Sequence, residues 1–192
     1  YADSRSVNSF DADWGNAASW APYTYDYYSS SSRDRSTANL ELRLASPAAT
    51  EAGSTAWLAG VYLLDLDEDG RDLLTGIYAD PSDPSFDGTS DDALANRYAA
   101  TNVAVFGQLD GYLAERWRWS AGLRLEQRSA SYRDAGIWGG GPQVTDLAAR
   151  DRMLGGQVSL SFDLSQAAST YVSLSRGYKA GGFNLGAVPP GG

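Results

Sequence analysis

The sequence contains no cysteine and no histidine, and Lys179 is its single lysine. Without cysteine there is no disulfide and no thiolate nucleophile. Without histidine there is no Ser-His dyad and no His-ligated zinc, and the commonest general base is gone. An enzyme built on carboxylates or on Lys179 would still be chemically possible, but nothing in the sequence positions a base for that lysine. No run of about 18 apolar residues occurs, so no transmembrane helix is expected. The chain opens YADSRSVNSF, without Met, a basic n-region or an apolar run, so no signal peptide is read there. It closes on AVPPGG, and both ends read as cut from something longer. Helical periodicity is also missing: DDALANRY, 91–98, makes one turn at most.

What is present is acidic and aromatic. Asp and Glu number 24 against 15 Lys and Arg, a net charge of −9. A nucleic-acid binder needs a basic face to neutralise phosphates, so nucleic acid is not an expected partner. Aromatic residues make up 12%, with 12 Tyr and 6 Trp. At 43% apolar and 20% charged the composition is not that of a disordered chain. The 192 residues fit one domain.

Period-two alternation is the dominant signal. In WRWSAGLRLEQR, 117–128, Trp117, Trp119, Ala121, Leu123 and Leu125 alternate with Arg118, Ser120, Gly122, Arg124, Glu126 and Arg128. One face is apolar and the other charged, the pattern of a strand between two different solvents. Leu40, Leu42 and Leu44 alternate with Asn39, Glu41 and Arg43. Val103, Val105 and Leu109 alternate with Asn102, Ala104, Gln108 and Asp110, with Phe106 an exception on the polar side. Val158, Leu160, Phe162 and Leu164 form another such row, and so do Val172 and Leu174. The pattern is weaker over 55–66, where Trp57 and Val61 oppose Leu58, Tyr62 and Leu64, and weakest near 5–14. About seven strands result.

Their connections alternate in length. Short links lie at 113–116 and 165–168, and a moderately short one after Leu44 carries Ser46, Pro47 and Gly53. The segments 15–34, 67–97, 133–151 and 178 onward read as long loops. An up-and-down sheet puts all its short turns at one end and its long loops at the other, as outer-membrane barrels do. Ten residues at roughly 3.3 Å each, tilted about 45°, rise about 23 Å, close to an apolar band of about 25 Å. Tyr112, Trp117, Trp119, Tyr132, Tyr171 and Tyr178 fall near strand ends, where an interface belt would place them. The alternative is a soluble β-sandwich that buries the same faces.

Several stretches then resemble one family in order. SRGYKAGGFN, 175–184, is similar to the "S-R-G-[YF]-K-x-G-G-[FY]-N" strand-to-loop signature of TonB-dependent outer-membrane receptors. LELRLASP, 40–47, and WLAGVYLLDLDED, 57–69, resemble its "ELRLASP" and "W-x-x-G-x-[YF]" segments. VAVFGQLDGYL, 103–113, and WSAGLRLEQRSASY, 119–132, resemble "AVFGQxxYxL" and "TAGLRYxxExxxY". One departure is RMLGGQVSLSF, where the family often reads "PKxGLSY". The resemblance implies an all-β, antiparallel, up-and-down transmembrane barrel section, with short periplasmic turns and long extracellular loops. Residues 1–192 would form part of a barrel domain that closes with 22 strands, lacking the plug domain and the energy-coupling box.

The resemblance also implies a function. The expectation is an outer-membrane receptor that imports a scarce ligand with TonB-supplied energy, first of all a ferric siderophore, with cobalamin, haem or carbohydrate as alternatives. Expected partners are outer-membrane lipid, the plug of the same protein, the TonB complex through the missing N-terminal part, and the ligand. No cofactor, metal or bond-making step is expected. The competing reading is a soluble β-sandwich or adhesin-like binding module with Tyr-rich loops, and an outer-membrane hydrolase is disfavoured by the missing histidine.

Candidate residues follow. Arg176, Gly177, Tyr178, Gly181, Gly182, Phe183 and Asn184 carry the family-like loop, where Gly181 and Gly182 are expected to serve loop geometry through positive φ. Trp20, Tyr23, Tyr25, Tyr27 and Tyr28, in WAPYTYDYYSSSS, are placed to stack on a ligand or to sit in an interface belt. Arg118, Arg124 and Arg128 would attract an anionic substrate, pair with plug carboxylates, or supply plain lumen polarity. DLDEDG, 65–70, mimics the start of a calcium loop, but position 12 is Gly76, so an acidic solvated strand end is the preferred reading.

Overall fold

In the computed structural model, which describes residues 1–183, seven strands follow one another in a single sheet of order β1 to β7, each paired with its neighbours in sequence. They are β1 Ala2–Asp11, β2 Thr24–Ala45, β3 Thr55–Ala79, β4 Gly88–Ala114, β5 Trp117–Trp138, β6 Gly141–Ser165 and β7 Ala168–Arg176. The only helical pieces among the described residues are the single turn α1, Ala17–Trp20, and a 3-10 turn, Pro84–Phe86. The outer pairs show antiparallel register: Ala2 lies opposite Thr37 in β1–β2, and Gly156 opposite Arg176 in β6–β7. A sandwich needs two facing sheets, and the described residues make one.

The strands are far longer than alternation alone suggests. The segments read as loops at 67–97 and 133–151 are mostly strand, DDALANRY lies inside β4, and the 15–34 segment is strand from Thr24 onward. The reason is physical. There the exposed face is polar and the buried face mixes Asp92 and Asp134 with Leu94, Ala130 and Tyr132, so side chains lose the apolar-polar rhythm while the ladder of backbone hydrogen bonds continues. At the tip between β5 and β6 only Gly139 and Gly140 remain as the turn, with φ of 62° and 76°. Two consecutive left-handed residues match the twist of a tight hairpin, and glycine is the residue that adopts them at no steric cost. Asp92, buried on β4, accepts from both turn amides, Gly139 at 2.7 Å and Gly140 at 3.2 Å.

The chain divides into two compact units. Unit 2 holds 39–65, 100–129 and 149–183 of the described residues, with the short connections 46–54, 115–116 and 166–167. Its outward face is apolar and bare: Leu44 is 72% exposed and Leu174 79%, and Val103, Val105, Leu123, Leu125 and Val158 are all exposed. Its other face carries the polar alternates and buries Ala100, Ala104 and Met153. From Leu154 to Leu164 the outward row covers ten rises of about 3.3 Å, which at a tilt of about 40° gives an apolar height of about 25 Å. The weak alternation over 55–66 has a cause as well. Trp57, Val61 and Leu63 face outward, while inward Tyr62 lies under the Arg124 guanidinium at 5.2 Å.

Unit 1 holds 1–38, 66–99 and 130–148. Its core is mixed. Leu94, Ala130 and Tyr132 are buried, and so are the carboxylates Asp13, Asp92 and Asp134. Tyr132 is therefore interior and not part of an interface belt; its neighbour Asp134 accepts from Gln143 Nε2 at 3.2 Å.

Candidate functional site

Two clusters hold the residues singled out in the sequence, one in each unit. In unit 2, β5 sends Arg124, Glu126 and Arg128 to one face because they occupy alternate positions. Glu126 is the hub. Its Oε2 accepts from Arg124 Nε at 2.9 Å and from the Tyr178 hydroxyl at 2.8 Å, and its Oε1 accepts from Asn102 Nδ2 at 2.7 Å. Arg124 also donates to the Tyr178 hydroxyl at 2.9 Å. Its guanidinium lies over two rings, Tyr62 at 5.2 Å and Phe106 at 5.7 Å. Arg43 approaches Phe106 as well, at 5.9 Å. Phe106, the apolar exception on a polar face, is thus the platform on which two arginines rest.

Glycines make room for these rings. A Cβ on Gly60 would come within 2.4 Å of Phe106, and one on Gly155 within 2.7 Å of the Tyr178 ring. Arg128 pairs with Asp151 at 3.9 Å and donates to the Gly181 carbonyl. Arg118 pairs with Asp163 at 2.7 Å, beside the 166–167 turn. Each of the three arginines proposed from sequence therefore has a local carboxylate partner. Tyr178 belongs to this network and not to an interface belt, because its hydroxyl reaches Glu126.

The family-like loop is only partly as expected. Gly177 and Gly182 have open space where a Cβ would stand, and Gly181 faces the Asp151 carboxylate at 3.5 Å. Among the described residues the glycines with positive φ are Gly53, Gly136, Gly139 and Gly140, so Gly177, Gly181 and Gly182 do not serve through left-handed backbone. Arg176 ends β7 opposite Gly156, and Phe183 is the last described residue. Asn184 lies outside the described residues.

In unit 1 the Tyr-rich tract forms an aromatic cup. Alternation on β2 turns Tyr25 and Tyr27 to one face and leaves Tyr28 exposed on the other. Tyr25 lies 4.9 Å from Trp20 and 4.7 Å from Tyr27, ring centre to ring centre. Tyr78, at the end of β3, stacks with Tyr23 at 6.4 Å and meets Tyr25 edge-on at 6.3 Å. A cavity of about 450 Å³ opens between Asp13, Trp14, Trp20, Tyr23, Tyr25 and Tyr78. Partial burial and the nearby Asp80, Tyr23 and Asp87 raise the Tyr78 phenol above its usual value. Asp80 and Asp83 are held below the ordinary carboxylate value, chiefly by hydrogen bonds from the Ser82 and Ser85 side chains.

Sequence reasoning missed Asp13, Trp14 and Tyr78. For Tyr78 the signal lies in the hairpin: folding β2 onto β3 about the 46–54 turn returns Tyr78 to Tyr25. The acidic segment 65–70 is likewise resolved. Asp65, Asp67 and Asp69 share one face of β3, where Thr101 donates to Asp65 at 3.0 Å and Arg97 pairs with Asp67 at 2.7 Å. A straight strand spreads these carboxylates along a line instead of wrapping them around an ion.

Comparison with known proteins is consistent with this architecture. The profile of the family described as "TonB dependent receptor-like, beta-barrel" matches residues 1–190. No curated protein sequence matches the chain. Among solved structures, the ferric yersiniabactin uptake receptor FyuA from Yersinia pestis superposes with a TM-score of 0.60 at 16% identity. The match covers 89% of this chain and 27% of that structure, so the chain spans about a quarter of its length.

Proposed function

This chain belongs to the TonB-dependent receptor β-barrel family, and from that premise we propose that it is a section of an outer-membrane receptor importing a ferric siderophore. The observation that carries this reading is the division of faces in unit 2. One face is bare Leu, Val and Trp suited to lipid, and the other is an arginine-carboxylate-aromatic network suited to a water-filled or plugged lumen. The ligand class takes its support from FyuA, itself a ferric yersiniabactin uptake receptor. In this reading, residues 1–192 are one part of a barrel domain, and a plug of the same protein fills the lumen. The TonB complex supplies the energy, and no bond of the ligand is made or broken.

Arg118, Arg124 and Arg128 are lumen residues in this reading. Each carries a local partner, so they serve first as a polar lining that keeps its charge balanced against whatever the lumen holds. Gly60 and Gly155 are strand positions kept free of side chain so that Phe106 and Tyr178 lie flat across the sheet.

Uptake of radio-iron loaded on catecholate, hydroxamate and phenolate siderophores tests the proposal. Cells lacking the gene should lose uptake of one class, and cells lacking TonB should lose it equally. Unchanged uptake of all three classes in the deletion strain would sink the siderophore reading.

A further inference from the structure

The aromatic cup of unit 1 has features that simple packing does not explain. Trp14 is 88% exposed, and its backbone is left-handed at φ 59°. A bulky residue pays for that conformation, and an indole in water gains nothing from burial. The loop nevertheless fixes it there. Asp11 accepts from the Asp13 amide at 3.1 Å, Asp13 accepts from the Gly15 amide at 2.8 Å, and Ala12 donates to the Tyr27 carbonyl at 2.7 Å. Trp20 turns its Nε1 against Gly15, where a Cβ would stand 2.4 Å away. That nitrogen is buried, so the part of Trp20 that lines the cavity is carbon.

The charge around these rings has one sign. Asp13 lines the cavity, and Asp80 and Asp87 lie close enough to Tyr78 to act on it electrostatically. No Arg or Lys is among the lining residues. Aromatic faces present negative quadrupole, so rings and carboxylates attract the same kind of guest. An anion would meet repulsion from both. A neutral sugar would draw on the Tyr23, Tyr25 and Tyr78 hydroxyls but would leave the negative field of Asp13, Asp80 and Asp87 uncompensated. We propose that the cup formed by Trp14, Trp20, Tyr23, Tyr25, Tyr78 and Asp13 binds an organic cation of the alkylammonium class. This names the charge of the ligand's outward-facing part, and it rests on the receptor reading only for the side of the membrane on which the cup meets its guest.

The test uses the receptor that carries this chain, purified in uncharged detergent. Tryptophan fluorescence follows titration with choline, with its uncharged carbon isostere dimethylbutanol, and with the anion dimethylbutyrate. Choline should bind roughly tenfold more tightly than dimethylbutanol, the scale of a partly desolvated cation–π contact, and dimethylbutyrate should not bind. Trp14→Ala and Tyr78→Ala should each weaken choline binding several-fold, with circular dichroism reporting that both variants fold. Asp13→Asn keeps an acceptor for Gly15 N–H and should narrow the ratio between choline and dimethylbutanol. Equal binding of the two, no choline binding, or full choline affinity in both alanine variants would overturn the inference. Retained radio-iron uptake alongside any of those results would leave the import reading standing, so the two fail separately.

Discussion

The Tyr178 hydroxyl donates to Glu126 Oε2 at 2.8 Å across 52 positions of sequence, and so ties the segment after β7 back to β5. Glu126 holds Arg124, Asn102 and Tyr178 at once. Removing the hub should therefore cost more than removing a spoke. Glu126→Ala is expected to destabilise the folded receptor by about 3 kcal/mol, because Arg124 loses its partner on the polar face. Tyr178→Phe is expected to cost about 1 kcal/mol. Urea midpoints in detergent give the comparison, and equal losses for the two would contradict the hub.

Gly60 lies beneath Phe106 and also faces the Leu42 carbonyl, 2.8 Å from where a Cβ would stand. Gly60→Ala should cost about 1–3 kcal/mol through overpacking. Adding Phe106→Leu should recover part of that loss but not all, since the carbonyl stays. A double-mutant cycle measures the coupling, which additive losses would disprove.

Asp92 caps the Gly139–Gly140 turn from a neighbouring strand. Asp92→Ala should leave both turn amides without this acceptor and fray the tip, at a cost of about 2 kcal/mol. Hydrogen exchange at the two glycine amides should quicken while amides in unit 2 stay protected. Uniform quickening would mean that the residue acts on the whole fold.

Alkali should weaken unit 1 through Tyr132. Burial, with a hydrogen bond to Asp134 and its charge, pushes this phenol from 10.0 up to about 12. The folded form holds its proton more tightly than the unfolded form, so the stabilisation is whole below pH 10 and lost as pH rises to about 12. Phenolate absorbance should show a tyrosine titrating up to about pH 12 that Tyr132→Phe removes. In acid the sign reverses for Asp80 and Asp83: their contribution is present above the ordinary carboxylate value of about 3.9 and fades as pH falls below it.

Wherever one face of a strand is apolar and the other polar, the sequence shows it. Leu40, Leu42 and Leu44, and the row from Val103 to Leu109, announce their strands by residue type alone. Beyond that row the same strands run on through Ser, Asp and Arg, and residue type has little to report because the buried face there carries Asp92 and Asp134 as well as Leu94 and Tyr132. Tyr25 and Tyr27 were legible as a cluster. Tyr78 and Trp14 were not, since their places depend on hairpin register and on a left-handed turn that no local pattern encodes. Phe106 looked like an error in the alternation and is the seat of two guanidinium groups.

The long ladders of β3 to β6 set a rule for how this surface can change over evolutionary time. Inserting one residue within 67–79, 88–98 or 129–138 would exchange every inward and outward side chain beyond it. Tyr78 would leave its cup and Asp92 its turn. Length variation among descendants of this chain should therefore come in even steps along the ladders, and in single steps only at 12–23, 80–87 and 139–140.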